Sequence, residues 1–129
     1  MAAKILLVED NEMNRDMLSR RLQRRGYEVL TAVDGESGLA LTKSETPALV
    51  LMDMSLPGID GWEATRRLKA DERTRRIPVV ALTGHALAGH SKGAKDAGCD
   101  SFLAKPCLPD QLVAEIKRML SGAAKKGGR

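Results

Sequence analysis

The segment LVLMDMSLPG at residues 49–58 joins an apolar run to an acidic residue and a turn. The run at 49–52 is near-continuous rather than alternating, which is typical of a strand that is covered on both faces. Asp53 follows the run directly, and Pro57 and Gly58 suit the two central positions of a turn. The segment therefore predicts a buried strand that ends at Asp53, where the chain leaves the sheet.

Comparable apolar runs recur along the chain and alternate with amphipathic segments. They lie at residues 5–8, 27–32, 77–82 and, more weakly, 101–103. The runs other than the last are near-continuous, so helices must cover both faces of the sheet that they form. A strand followed by a helix, repeated five times, predicts an α/β fold with an open, doubly wound parallel sheet.

Each predicted helix has an apolar side. We assign to these sides Met13, Met17, Leu18 and Leu22 in the first helix; Leu39 and Leu41 in the second, which begins near Asp34; Trp62, Ala64 and Leu68 in the third; and Leu112, Val113, Ile116 and Leu120 in the last. The fourth helix is expected around residues 86–97. Its glycines and few apolar residues predict that it is the least stable of the five.

Length and composition predict one domain and a tail. A chain of 129 residues, 43% of them hydrophobic, suits a single core, which we place at residues 1–121. Residues 122–129 have nothing to bury and predict a flexible basic tail. Because three of the 21 basic residues lie in this tail, the body holds 18 basic and 17 acidic residues. With only three aromatic residues as well, the body is not expected to bind nucleic acid directly.

Other classes of function find little support in the sequence. No apolar run approaches the roughly 20 residues of a membrane span, and the N-terminal run lacks the features of a secretory signal, so we expect a cytoplasmic protein without a membrane partner. Cys99 and Cys107 match no zinc or redox spacing and are predicted to be reduced packing residues. The glycines of segment 84–91 resemble a phosphate-binding loop, but His90 stands where that loop needs lysine.

Five chemically active side chains fall at the same end of the predicted strands. Glu9 and Asp10 follow the first strand, Asp53 the third, Thr83 the fourth and Lys105 the fifth. Ligands of open α/β sheets bind outside the carboxyl ends of the strands. We therefore expect these five side chains to meet at one edge of the sheet.

Clustered carboxylates repel one another unless a cation neutralises them. A site of oxygen ligands with room for water suits Mg²⁺, which commonly binds a substrate phosphate as well. Lys105 and Thr83 supply the charge and the hydroxyl that suit a transferring phosphoryl group. Asp53 is the candidate nucleophile because a carboxylate can form an aspartyl phosphate, and Asp10 is the main candidate metal ligand, with Glu9 beside it.

Four motifs give the chain a family resemblance. They are LVEDN at residues 7–11, LMDMSLPGIDG at 51–61, ALT at 81–83 and AKP at 104–106. With them, the chain resembles a two-component response-regulator receiver domain, and within that family the single-domain receivers of cell-cycle and phosphorelay type. The resemblance implies a three-layer, flavodoxin-like fold in which five parallel strands in the order 2-1-3-4-5 are flanked by five helices.

The resemblance also assigns an acceptor and its metal ligands. It implies that Asp53 accepts a phosphoryl group from a histidine kinase or a histidine phosphotransfer protein. Glu9, Asp10 and Asp53 would bind Mg²⁺ together with the backbone carbonyl of Ser55.

A second group of residues would form the switch. Thr83 would follow the phosphoryl oxygens, Phe102 would report that movement through its rotamer, and Lys105 would bind the phosphoryl group. The Lys105–Pro106 peptide bond would be cis. Two features depart from the commoner pattern, since Gly84 follows Thr83 and Phe102 lacks the hydroxyl of tyrosine.

The implied function is that of a signalling domain rather than an enzyme. It would assist its own phosphorylation and dephosphorylation and switch a surface that binds a downstream protein. One alternative is a receiver cut from a hybrid histidine kinase. A second is an aspartate-nucleophile phosphatase of the haloacid-dehalogenase kind, although Ser55 replaces the second aspartate of that motif. A third is an interaction scaffold that has lost phosphorylation.

Overall fold

The computed structural model of the protein describes residues 3–84, 98–105 and 108–127, and of residues 122–127 it gives the backbone alone. The described elements are β1 (Lys4–Val8), α1 (Glu12–Arg24), β2 (Glu28–Ala32), α2 (Gly35–Glu45), β3 (Leu49–Asp53), α3 (Gly61–Ala70), β4 (Val79–Thr83), β5 (Ser101–Ala104) and α4 (Pro109–Gly127). All five predicted strands are therefore present.

The strands form one sheet in the order β2-β1-β3-β4-β5, and every pair is parallel. This confirms the order that the family resemblance implied. Almost every residue of β1, β3 and β4 is buried, as the near-continuous apolar runs predict. β2 differs from the prediction, because Glu28 and Thr31 are exposed. It lies at an edge of the sheet, where a strand has a neighbour on one side only.

The sheet separates two half-cores. Because successive side chains of a strand point to opposite faces, Leu6, Val50 and Ala81 pack with α2 and α3, whereas Leu7, Leu51 and Leu82 pack with α1 and α4. The first half-core also holds Leu39, Ala64 and Leu68, and the second holds Leu18, Leu22, Leu112 and Ile116. Helices on both faces of one sheet give the three layers that were predicted.

Helix α1 corrects one prediction of the apolar faces. Leu18 and Leu22 are buried, but Met13 is 82% and Met17 is 41% exposed. Met13 and Leu22 are nine positions apart, which at 3.6 residues per turn is about two and a half turns. Met13 therefore projects from the side of the helix opposite Leu22, and Met17 lies between the two sides.

Side chains cap the starts of three helices. Asn11 accepts a hydrogen bond from Asn14 N at α1, Asp34 forms a capping box with Ser37 at α2, and Asp60 caps α3. The predicted start of the second helix near Asp34 is thus confirmed. The described part of the chain contains four helices rather than five, and the helix predicted around residues 86–97 lies outside it.

Helix α4 continues to Gly127, beyond the predicted domain boundary at residue 121. Ala123, Ala124, Lys125 and Lys126 favour a helical backbone, since alanine and lysine have high helix propensity. None of the helices in the described ranges has the length and hydropathy needed to cross a membrane.

Candidate functional site

The predicted site residues lie along one edge of the sheet. Glu9 and Asp10 directly follow β1, Asp53 ends β3, Thr83 ends β4 and Lys105 follows β5. Since these four strands are neighbours in the sheet, their carboxyl ends stand in a row. The parallel topology therefore brings together residues that are far apart in the sequence.

Three carboxylates cluster at this edge. Glu9, Asp10 and Asp53 each offer one carboxylate oxygen, and these atoms lie within 4.8 Å of one another. Glu9 is 0% and Asp53 is 1% exposed, whereas Asp10 is exposed. Hard oxygen ligands in such a group are the type that Mg²⁺ prefers.

Lys105 joins the two buried carboxylates. Its Nζ lies 3.1 Å from Asp53 Oδ2 and 3.1 Å from Glu9 Oε1. Burial, together with a contact to Asp53, raises the pKa of Glu9 above its ordinary value. Burial opposes the charged form of Lys105, but the adjacent carboxylates of Asp53 and Glu9 outweigh it and raise the Lys105 pKa.

The acidic cluster fits a divalent cation. Glu9 Oε1 is buried and accepts no aligned hydrogen bond from the described residues, although the Lys105 ammonium group lies close to it. Within the described ranges one lysine, Lys105, opposes three carboxylates, so the cluster carries excess negative charge. Both features are those expected of a site that takes up additional positive charge.

The backbone beyond Asp53 turns away from the sheet as predicted. Met54 N still donates to Leu82 O at 2.9 Å, and the chain then bends through Gly58, whose φ is 72°. Ser55 is exposed, and its N–H donates to Asp53 Oδ1 at 3.0 Å. The two oxygens of Asp53 thus have different partners, one on the backbone and one on Lys105.

Two predicted switch residues flank this edge. Thr83 is buried, and its carbonyl oxygen accepts a hydrogen bond from Lys105 N. Phe102, on β5, is partly buried and packs on the half-core of α2 and α3. His90 and the predicted cis bond before Pro106 lie outside the described residues, as does Cys107.

Two residues near the site, Arg15 and Gly61, were not predicted from the sequence. Arg15 Nη1 donates to Glu9 O at 2.9 Å and to Asp10 O at 3.3 Å. A Cβ on Gly61 would lie 2.3 Å from Asp53 O. The signals were an arginine one turn into the first helix and a glycine at the start of the third, but neither pattern by itself indicates a contact with the acidic loop.

Comparison with known proteins agrees with this geometry. Residues 5–117 match the family described as the response regulator receiver domain. The polar-differentiation response regulator DivK of Brucella ovis is 35% identical over 123 residues, which are 95% of this chain and all of that protein.

Solved structures give the same result. A CheY-like response regulator receiver protein from Methanospirillum hungatei superposes with a TM-score of 0.90 at 29% identity and covers 98% of this chain and 99% of its own. The receiver domain of a sensor histidine kinase from Pseudomonas aeruginosa has a TM-score of 0.87 at 36% identity, covering 94% and 99%, and holds a magnesium ion in its active-site cleft. The chain belongs to the response regulator receiver domain family of two-component signalling.

Proposed function

We propose that Asp53 is the phosphoacceptor of this receiver domain and that Glu9, Asp10, Asp53 and the Ser55 backbone carbonyl hold its Mg²⁺. The observation that carries the proposal is the buried carboxylate of Asp53 at 3.1 Å from Lys105 Nζ, within reach of two further acids. When bound, Mg²⁺ supplies positive charge that offsets the charge of phosphoryl oxygens.

The chain's own residues account for the transfer. An Asp53 carboxylate oxygen attacks the phosphorus of a partner's phosphohistidine, so a P–O bond forms while the P–N bond breaks and its electron pair returns to the imidazole nitrogen. Lys105 lies where its charge can oppose that of the incoming group. Ser55 N–H holds the other Asp53 oxygen and orients the carboxylate.

Release and signalling follow from the same arrangement. The domain assists its own dephosphorylation, in which water attacks the phosphorus and the Asp53 carboxylate leaves as the P–O bond breaks. Thr83 and Phe102 respond to the new dianion and change the surface that a downstream protein binds. The phosphodonor is a histidine kinase or a histidine phosphotransfer protein.

The family membership bears differently on two alternatives, an aspartate-nucleophile phosphatase and a receiver cut from a hybrid histidine kinase. Membership of a signalling family favours a receiver over a phosphatase. Receivers that belong to histidine kinases are among the similar structures, so a hybrid-kinase origin is compatible with the same site. The division into a domain at 1–121 and a tail, and the cytoplasmic location, stay predictions from the sequence.

The acceptor is tested by incubating the protein with acetyl phosphate and Mg²⁺ and measuring its intact mass. The wild type gains one base-labile phosphoryl group, and Asp53→Asn gains none. Asp60→Asn is the matched control, because it neutralises an acid in the same loop while asparagine still caps α3. A phosphorylated Asp53→Asn variant, or an unmodified wild type, overturns the assignment.

A further inference from the structure

Arg15 reaches back from α1 to the loop that carries the acidic pair. Its Nη1 donates to Glu9 O at 2.9 Å and to Asp10 O at 3.3 Å. Both carbonyl groups precede the N-cap Asn11, so the regular hydrogen bonds of the helix do not reach them. The guanidinium group of Arg15, a half-buried residue, takes the place of those bonds.

The rest of the loop is fixed at its two ends. Glu9 N donates to Ala32 O at 3.0 Å, which extends the sheet by one residue. Asn11 N donates to Glu9 Oε2 at 3.2 Å, and the Asn11 side chain caps α1. Between these anchors, one arginine nitrogen holds two successive carbonyl groups and thereby limits rotation of the peptide that joins Glu9 to Asp10.

We propose that Arg15 is a positioning residue that preorganises Glu9 and Asp10 for Mg²⁺. This inference rests on the proposed function, since it concerns the same metal site. Its physical basis is that ligands whose supporting hydrogen bonds are already made lose less freedom when the ion binds.

Charge alone predicts the opposite effect. A guanidinium cation beside the loop repels Mg²⁺, so its removal should strengthen binding if Arg15 acts only through its charge. If Arg15 acts through position, its removal should weaken binding. The direction of the change in affinity therefore separates the two roles.

The test measures the Mg²⁺ dissociation constant by calorimetry on chelator-treated protein. Arg15→Met should raise this constant by about tenfold, in line with losses seen when groups supporting metal ligands are removed. Arg15→Lys should give an intermediate value, because it retains a donor without the planar fork. Arg21→Met is the matched control, since Arg21 is an exposed arginine near the other end of α1.

A second readout excludes a general structural effect. At saturating Mg²⁺, Arg15→Met should accept a phosphoryl group from acetyl phosphate to the same extent as the wild type, and its circular dichroism should be unchanged. An equal or lower dissociation constant for Arg15→Met overturns the inference, as does a loss of phosphorylation that added Mg²⁺ does not restore. A wild type that is phosphorylated with Mg²⁺ preserves the proposed function in either case, whereas a wild type that binds no Mg²⁺ overturns both.

Discussion

At the scale of the residue, the site depends on unequal burial of its three acids. Glu9 and Asp53 are withdrawn from water, whereas Asp10 is exposed. Lys105 contacts the two buried acids and is positioned to neutralise part of their charge. The exposed Asp10 adds negative charge at the mouth of the site, so the free protein retains repulsion that a cation would relieve.

Removal of the Asp10 charge should separate metal binding from stability. Asp10→Asn is expected to unfold at higher urea than the wild type in the absence of Mg²⁺, because one repelling charge is gone. The wild type should gain about 2.7 kcal/mol when Mg²⁺ is present at about a hundred times its Kd, and the variant should gain less. Urea titrations with EDTA and with Mg²⁺ measure both effects. Equal stabilisation of the two proteins by Mg²⁺ would argue against Asp10 as a ligand.

At the scale of the element, the first residues of two helices pack closely against the loop after β3. A Cβ on Gly61, the first residue of α3, would lie 2.3 Å from Asp53 O and 2.7 Å from Met54 Cα. A Cβ on Gly35, the first residue of α2, would lie 2.8 Å from Ile59 O. Both helices therefore approach the loop so closely that only glycine fits, and this contact helps to fix the strand end that carries Asp53.

Gly61→Ala should destabilise the protein and displace the backbone that positions the proposed phosphoacceptor, Asp53. The added methyl group meets backbone atoms, which cannot move aside as a flexible side chain would, so a loss of about 1–3 kcal/mol is expected. Alanine is itself the better helix former, and a net loss therefore reports the steric clash. Urea denaturation and the rate of phosphorylation by acetyl phosphate measure the two effects.

Gly84→Ala supplies the comparison for Gly61→Ala. A Cβ on Gly84 would meet no heavy atom of the described residues within 4 Å, so Gly84→Ala should change the free energy of unfolding by less than about 0.5 kcal/mol. If the two variants lose stability equally, close packing at Gly61 is not the cause.

At the scale of the whole molecule, the two half-cores lie on opposite faces of one sheet. Leu22 packs on one face of the sheet with α1 and α4, and Leu68 packs on the other face with α2 and α3. Both side chains are almost completely buried. Because β1, β3 and β4 contribute side chains to each face, loss of either half-core should expose the same central strands.

The two half-cores should consequently unfold together. Leu22→Ala and Leu68→Ala should each cost about 2–5 kcal/mol through the lost burial and the cavity left behind. Each should lower the urea midpoint of a single transition and leave its slope unchanged. Fluorescence of Trp62 and far-UV circular dichroism measure the transition independently. Biphasic unfolding of either variant, or different midpoints for the two signals, would contradict a single cooperative unit.

Local patterns in the sequence were enough to predict the strands and the edge of the sheet at which the site lies. Continuous apolar runs give buried strands, and Asp34 begins α2 because its side chain satisfies backbone groups a few residues away. These are local effects that neighbouring residues decide. They suffice to put Glu9, Asp53 and Lys105 at strand ends, and because the strands are parallel those ends lie at one edge of the sheet.

The environments of these residues, in contrast, depend on packing between elements. Burial of Glu9 beside an exposed Asp10, the hydrogen bonds from Arg15 to their carbonyl groups and the approach of Gly61 to Asp53 all depend on how helices lie against the sheet. The outward direction of Met13 likewise reflects the face of α1 that the sheet covers. Such contacts depend on side-chain direction and on packing between elements far apart in the chain, which local sequence patterns do not reveal.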